Sequence, residues 1–179
     1  MNNPFNVYQN SNFCLENDVL VLYPLAPPHF DGLFLAASDP LIWEQHPNPN
    51  RYQIADFTNF FNGAIASKGA FLIVEKTSNA VVGSSRFYDY DAEQKSVLIG
   101  YTFIAREFWG RRINAQIKKI MMDYAFDHVN KILFQIGSLN IRSQIAMERL
   151  GGKKIGEELV EYFGESPKMN FVYEILKNN

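Results

Sequence analysis

The stretch IGYTFIAREFWGRRINAQIKK, residues 99–119, decides how the rest of the chain is read. It begins as an apolar strand that ends near Ile104, crosses a turn containing Gly110, and continues as a helix with apolar residues at Ile113, Ile117, Ile120, Met121, Tyr124 and Ala125. Lys118, Lys119 and Asp123 are expected on the outside of that helix. Arg106, Arg111, Arg112, Lys118 and Lys119 stand here against one acid, Glu107, in a chain whose net charge is −2. Positive charge gathered just before a helix, where unpaired N–H groups and the helix dipole already favour anions, suits a phosphate group. A solvated basic helix start is the plainer alternative.

Upstream, Val19 to about Tyr23 reads as a strand. Pro27 and Pro28 open a helix that the Asp39-Pro40 pair closes. A loop with Pro47 and Pro49 follows, then a helix over about Ala55–Ser67 with Phe57, Phe60, Phe61, Ala64 and Ile65 on one stripe. The period then changes to two. Ala70–Glu75, Val81–Tyr88 and Val97–Ile104, joined by short polar turns, predict an antiparallel meander. Downstream of the long helix, Lys131–Ile136 is a continuous apolar run, expected to be buried on both faces. Asn140–Leu150 is a helix ended by Gly151-Gly152, and strands over Lys154–Val160 and Phe171–Leu176 complete an α/β (α+β) order of β-α-α-β-β-β-α-β-α-β-β.

The 179 residues suffice for one domain with a core that needs no disulfide or metal. Residues 1–18, rich in asparagine, read as a loosely held extension, with Phe5, Tyr8 and Phe13 as the groups that could pack on a single domain over 19–179. A sequence pI near 5.9 argues against nucleic-acid binding by bulk charge. No apolar run reaches the roughly 18 residues that span a bilayer, no signal peptide is evident, and the single Cys14 fits a cytoplasmic protein. Dinucleotide and P-loop fingerprints are absent, GSSRF at 83–87 is not a nucleophile elbow, and His29, His46 and His128 lack metal-site spacing, so no metal is expected.

YTFIA, REFWGRR, IMMDYAF, KILFQIG and LNIRSQIAMERLGG together resemble the GCN5-related N-acetyltransferase (GNAT) superfamily, in particular its ribosomal-protein-type (RimJ/RimL-like) branch. Phe108-Trp109-Gly110 is similar to the branch's aromatic-Trp-Gly loop, and Asn140-Ile141-Arg142-Ser143 to the Asn-x-x-Ser that opens its last helix. The resemblance runs from about Val19 to Leu176. It implies a mixed, mostly antiparallel twisted sheet with helices on both faces, and transfer of acetyl from acetyl-CoA to a primary amine, on a protein N-terminus or a small molecule, by direct attack. The alternative is a non-catalytic CoA-binding or regulatory protein on the same fold. Partners are then acetyl-CoA and an amine acceptor, with no nucleic acid and no membrane; a homodimer is left open.

By the resemblance, backbone groups around Thr102, Phe103 and Ile104 hold acetyl and pantetheine. The amides from Arg106 through Trp109, Gly110, Arg111, Arg112 and Ile113 to Asn114 take the pyrophosphate. Asn140 meets pantetheine, and Ser143 lies near the sulfur. The chain departs from the superfamily at four positions. Arg112 replaces a small residue, Asn114 a glycine or alanine, Met147 a proton-donating tyrosine, and Leu98 an acid. Ser143 becomes the candidate general acid, its alternative role being support of the helix start. The base stays open among Glu44, His46, Asp89 and a water relay.

Overall fold

The structure, a computed structural model, describes residues 3–9, 12–163 and 166–177. Eight strands form one sheet: β1 (Leu15–Glu16), β2 (Leu20–Pro24), β3 (Ala70–Glu75), β4 (Val81–Asp91), β5 (Ser96–Ile104), β6 (Lys131–Gly137), β7 (Lys153–Val160) and β8 (Lys168–Leu176). The spatial order is β1-β2-β3-β4-β5-β6-β8-β7. Every neighbouring pair is antiparallel except β5 with β6. That parallel pair requires a crossover, and the long helix supplies it.

Helices α1 (Phe30–Ala37) and α2 (Ile54–Ser67) cover one face. Their apolar stripes pack with Leu25, Trp43, Leu72 and Phe103 into one core. Helix α3 (Ile113–Phe126) and Met147 of α4 (Ile141–Arg149) pack on the other face, around Phe71, Ile73, Phe87, Ile99, Ile117, Met121, Ile132 and Phe134. The expected mixed α/β order, mostly antiparallel sheet and helices on both faces are all present.

Several local expectations change. The N-terminal stretch is held more firmly than its composition suggests. Phe5 is buried against Phe87, Tyr90, Tyr124 and His128, and Phe13 packs on Tyr124. Tyr8 is exposed, and Leu15–Glu16 adds an edge strand. β6 is not buried on both faces: burial alternates along it, with Ile132, Phe134 and Ile136 in the α3-side core and Lys131, Leu133 and Gln135 half-buried on the other face. β4 extends to Asp91, so Asp89 belongs to a bulged strand end rather than to a loop. Lys118, expected outside, is 5% exposed and points inward.

Candidate active site

β5 and β6 pair only at Ser96, Val97 and Leu98 with Lys131, Ile132 and Leu133. Beyond Leu98 the strands part, and a register shift explains why. Ser84 pairs with Phe103 and Arg86 with Gly100, so Tyr101 and Thr102 together oppose the single Ser85. Tyr101 sits in the left-handed region at φ 52°. A bulge bends the strand that carries it, here away from β6, and it leaves unpaired peptide groups along a V-shaped cleft. Gly100 is required at the same bend. A Cβ there would lie 2.9 Å from the Tyr88 ring, which crosses β5 so that its hydroxyl can donate to Gln135 Oε1 on β6, 3.0 Å away.

One rim of the cleft is the turn before α3. Arg112, at φ 57°, is its N-cap and supplies no side-chain cap. Among the described residues, the N–H groups of Gly110 through Ala115 find no acceptor. Gly110 is left-handed at φ 76°, with open space where a Cβ would stand. Arg111 and Arg112 are exposed, as is Arg106, which pairs with Asp39 at 3.5 Å. Donors without partners, open space and three guanidiniums fit a pyrophosphate. Ile113 and Phe103 have buried side chains and can offer only backbone. The Ile104 carbonyl accepts from Trp109 Nε1 at 2.9 Å.

The other rim is the start of α4. Asn140 caps it, its Oδ1 accepting from Ser143 N–H at 3.1 Å. Ser143 is half-buried, and its hydroxyl has no protein partner. The Arg142 guanidinium lies 4.6 Å from the Trp109 ring centroid and pairs with Glu44 at 3.1 Å; Gln45 Oε1 accepts from Arg142 N–H. The α1–α2 loop, the α3 turn and α4 are thereby tied together at the open end.

The three base candidates do not converge. Glu44 is committed to Arg142. Burial first, then Arg51, holds His46 neutral, well below its ordinary pKa. Its Nδ1 accepts from Asn48 N–H at 3.0 Å and its Nε2 faces the Arg51 guanidinium at 3.4 Å, so both ring nitrogens are already occupied. Asp89 stands where β5 and β6 are still paired; burial and Glu158 raise its pKa.

Three buried cations escape the sequence reading. On the α1/α2 face, Arg51 lies 4.8–6.0 Å from the ring centroids of Phe60, Tyr162, Trp43 and Tyr101. Arg86 lies 3.9 Å from the Tyr101 centroid and donates to the carbonyls of Gly63 and Phe60 in α2. On the α3 face, Lys118 Nζ donates to Thr102 Oγ1 at 2.7 Å and lies 5.4 Å from the Phe134 ring centroid. The residue between Ser85 and Phe87 in a two-period strand must face into one of the cores, which is the only sequence signal for Arg86.

Residues 20–153 match the acetyltransferase (GNAT) domain family. None of the curated proteins matches the sequence. Among solved structures, the chain is similar to a GCN5-related N-acetyltransferase from Brucella melitensis, with a TM-score of 0.76 and 21% identity over 93% of this chain and 80% of that one. It is similar to a Vibrio cholerae protein assigned as a ribosomal-protein-serine acetyltransferase, with a TM-score of 0.74 and 13% identity over 94% and 99% of the two chains. A third is the microcin C7 self-immunity acetyltransferase in complex with acetyl-CoA and AMP, with a TM-score of 0.71 and 18% identity over 90% and 94%. A parallel strand pair opened by a bulge, donors waiting at a helix start and a family match over most of the sheet lead to one conclusion: the chain belongs to the GNAT acetyltransferase family, whose reaction is acetyl-CoA-dependent N-acetyl transfer.

Proposed function

We propose that the chain acetylates a primary amine by direct attack, with acetyl-CoA held along the β5/β6 cleft. The supporting observation is the cleft itself: β5 and β6 separate after three paired residues, and the α3 turn beside them presents unpaired N–H groups from Gly110 to Ala115. Acetyl-CoA supplies the activated acetyl group as a thioester. The chain's own part is to bind and orient. Backbone groups of Thr102–Ile104 run beside the acyl end, the Arg106–Asn114 turn takes the pyrophosphate, Asn140 reaches pantetheine and Ser143 lies near the sulfur. Two or three charge-assisted hydrogen bonds of about 1.5–3 kcal/mol each supply much of a micromolar affinity.

Glu44 in its ion pair and His46, buried beside Arg51 with both ring nitrogens occupied, are poor bases, which supports loss of the amine's proton to water. The acceptor is a protein N-terminus or a small amine, in a cytoplasmic setting supported by the free, exposed Cys14. The test is thiol release from acetyl-CoA across a panel of N-terminal peptides, amino sugars and polyamines, run beside calorimetry with CoA. Turnover with at least one amine class is expected. CoA binding with no turnover on any amine would instead favour a CoA-binding protein without catalysis.

A further inference from the structure

Lys118 is the one buried lysine among the described residues. It projects from the second turn of α3 into the space between the parting strands. Thr102, on the bulge of β5, accepts its hydrogen bond, and Phe134, one residue past the last paired position of β6, lies under its Nζ. Thr102 Oγ1 in turn meets Ser85 Oγ of β4 at 2.8 Å, so lysine, threonine and serine make a hydroxyl chain across the bulge. Among the described residues no carboxylate lies within ion-pair distance. The groups facing Lys118 are Thr102 from β5, Ser85 through Thr102 from β4, and Phe134 from β6; no charged group on any neighbouring element contributes to its titration. A cation buried beside hydroxyls alone is costly to keep. Through Thr102 it stands beside the β5 backbone that the function proposed above puts at the acyl end of the cleft, and Met147, buried in the same core, has no proton to give.

We propose that Lys118 is the acid of the reaction, protonating the CoA sulfur as the acyl group leaves. This rests on the function proposed above. The acceptor nitrogen bonds to the acetyl carbon, and the carbon–sulfur bond breaks with its electron pair remaining on sulfur. The Lys118 ammonium gives its proton to that sulfur and becomes a neutral amine. The acceptor nitrogen releases its proton to water, and Lys118 regains one from water after the thiol has left. No oxidant, metal or further reactant is needed. Burial brings the ammonium down to about 7, so it can both give and regain a proton near neutrality.

The test uses the whole protein and Lys118→Met, which preserves length and removes the amine. Turnover is measured on whichever amine serves across the pH range on both sides of neutrality. The expected results are a wild-type kcat profile with a falling limb as pH rises through about 7 that Lys118→Met lacks, and a kcat about 10²-fold lower in Lys118→Met with KM for acetyl-CoA little changed. Lys118→Gln, which retains a hydrogen bond to Thr102, should be as slow as Lys118→Met; recovery of rate in Lys118→Gln would make the lysine a positioning residue and overturn the proposal. The same falling limb in Lys118→Met as in the wild type would overturn it as well. So would a stable acetyl adduct on Lys118 after incubation with acetyl-CoA alone, because the amine would then be a nucleophile. Failure of CoA to bind the wild type at all would overturn the cleft assignment instead, which keeps the two failures apart.

Discussion

The two faces of the sheet bury cations in opposite ways. On the α1/α2 side, Arg86 has two helix carbonyls to donate to and the Tyr101 ring beneath it. Burial lowers it to about 10, so it remains charged at neutral pH. On the α3 side, Lys118 has one hydroxyl and a phenylalanine, and it titrates near 7. A guanidinium with carbonyls and ring faces around it behaves as structure. An ammonium given one hydroxyl behaves as a proton store. The difference lies in the partners supplied, and the cleft between β5 and β6 lies beside the poorly supplied group.

The largest effect expected of this contrast is on stability against pH. Lys118 titrates near 7 in the folded protein and at an ordinary 10.5 in the unfolded chain. Above 10.5 both states are neutral there and the residue costs nothing. As pH falls to 7 the unfolded chain takes up a proton that the folded protein does not, so stability drops by as much as about 4–5 kcal/mol. Urea unfolding of the wild type should therefore show stability rising from pH 7 toward 10, with the rise flattened in Lys118→Met. Equal slopes in the two proteins would break the contrast. Arg86→Ala should act in the opposite sense. It removes the guanidinium's bonds to the Phe60 and Gly63 carbonyls and opens a cavity, costing about 3 kcal/mol in the same assay. A neutral result would mean that the arginine holds nothing together.

Two smaller effects concern the α3 turn. Gly110→Val forces a β-branched residue into a left-handed conformation and fills the open space beside the free N–H groups. Its CoA affinity should fall about tenfold, or about 1.4 kcal/mol, by calorimetry. Arg112→Gly should relieve strain, because Arg112 occupies a left-handed position that glycine takes without cost. Unfolding free energy should rise by about 1 kcal/mol, with CoA affinity within about threefold of wild type. Arg112 lines a groove of about 770 Å³ with Leu15, Asn17, Gln116 and Lys119, on the outer side of α3, which argues against its plugging the cleft. A sharp gain in CoA affinity in Arg112→Gly would contradict that placement.

The elements were legible in the sequence because their periods are strong: two along Ala70–Glu75 and Val97–Ile104, and 3.6 through Ile113–Ala125. The loop and helix-start motifs of the site were legible too, since turns and caps leave local marks such as Gly110 and Asn140. What could not be read was anything set by the sheet's bulges. Lys118 sits one position beyond Ile117, at the edge of the apolar stripe, and charge assigns such a residue to solvent; only the opening of β5 from β6 makes that edge an interior. In the N-terminal extension Phe5 and Phe13 were legible as packing groups, but composition could not show that Tyr8 stays exposed or that four aromatic neighbours from β4, α3 and the end of that helix enclose Phe5. The bulged end of β4 likewise moved Asp89 out of a loop and away from the open end of the cleft.

The most direct measurement is a calorimetric titration of the wild-type protein with CoA at low and high salt. The account predicts a single site with micromolar or tighter affinity that weakens as salt rises, since exposed arginines at the α3 turn carry part of the attraction. No heat of binding at about millimolar CoA would contradict the placement of acetyl-CoA in the β5/β6 cleft.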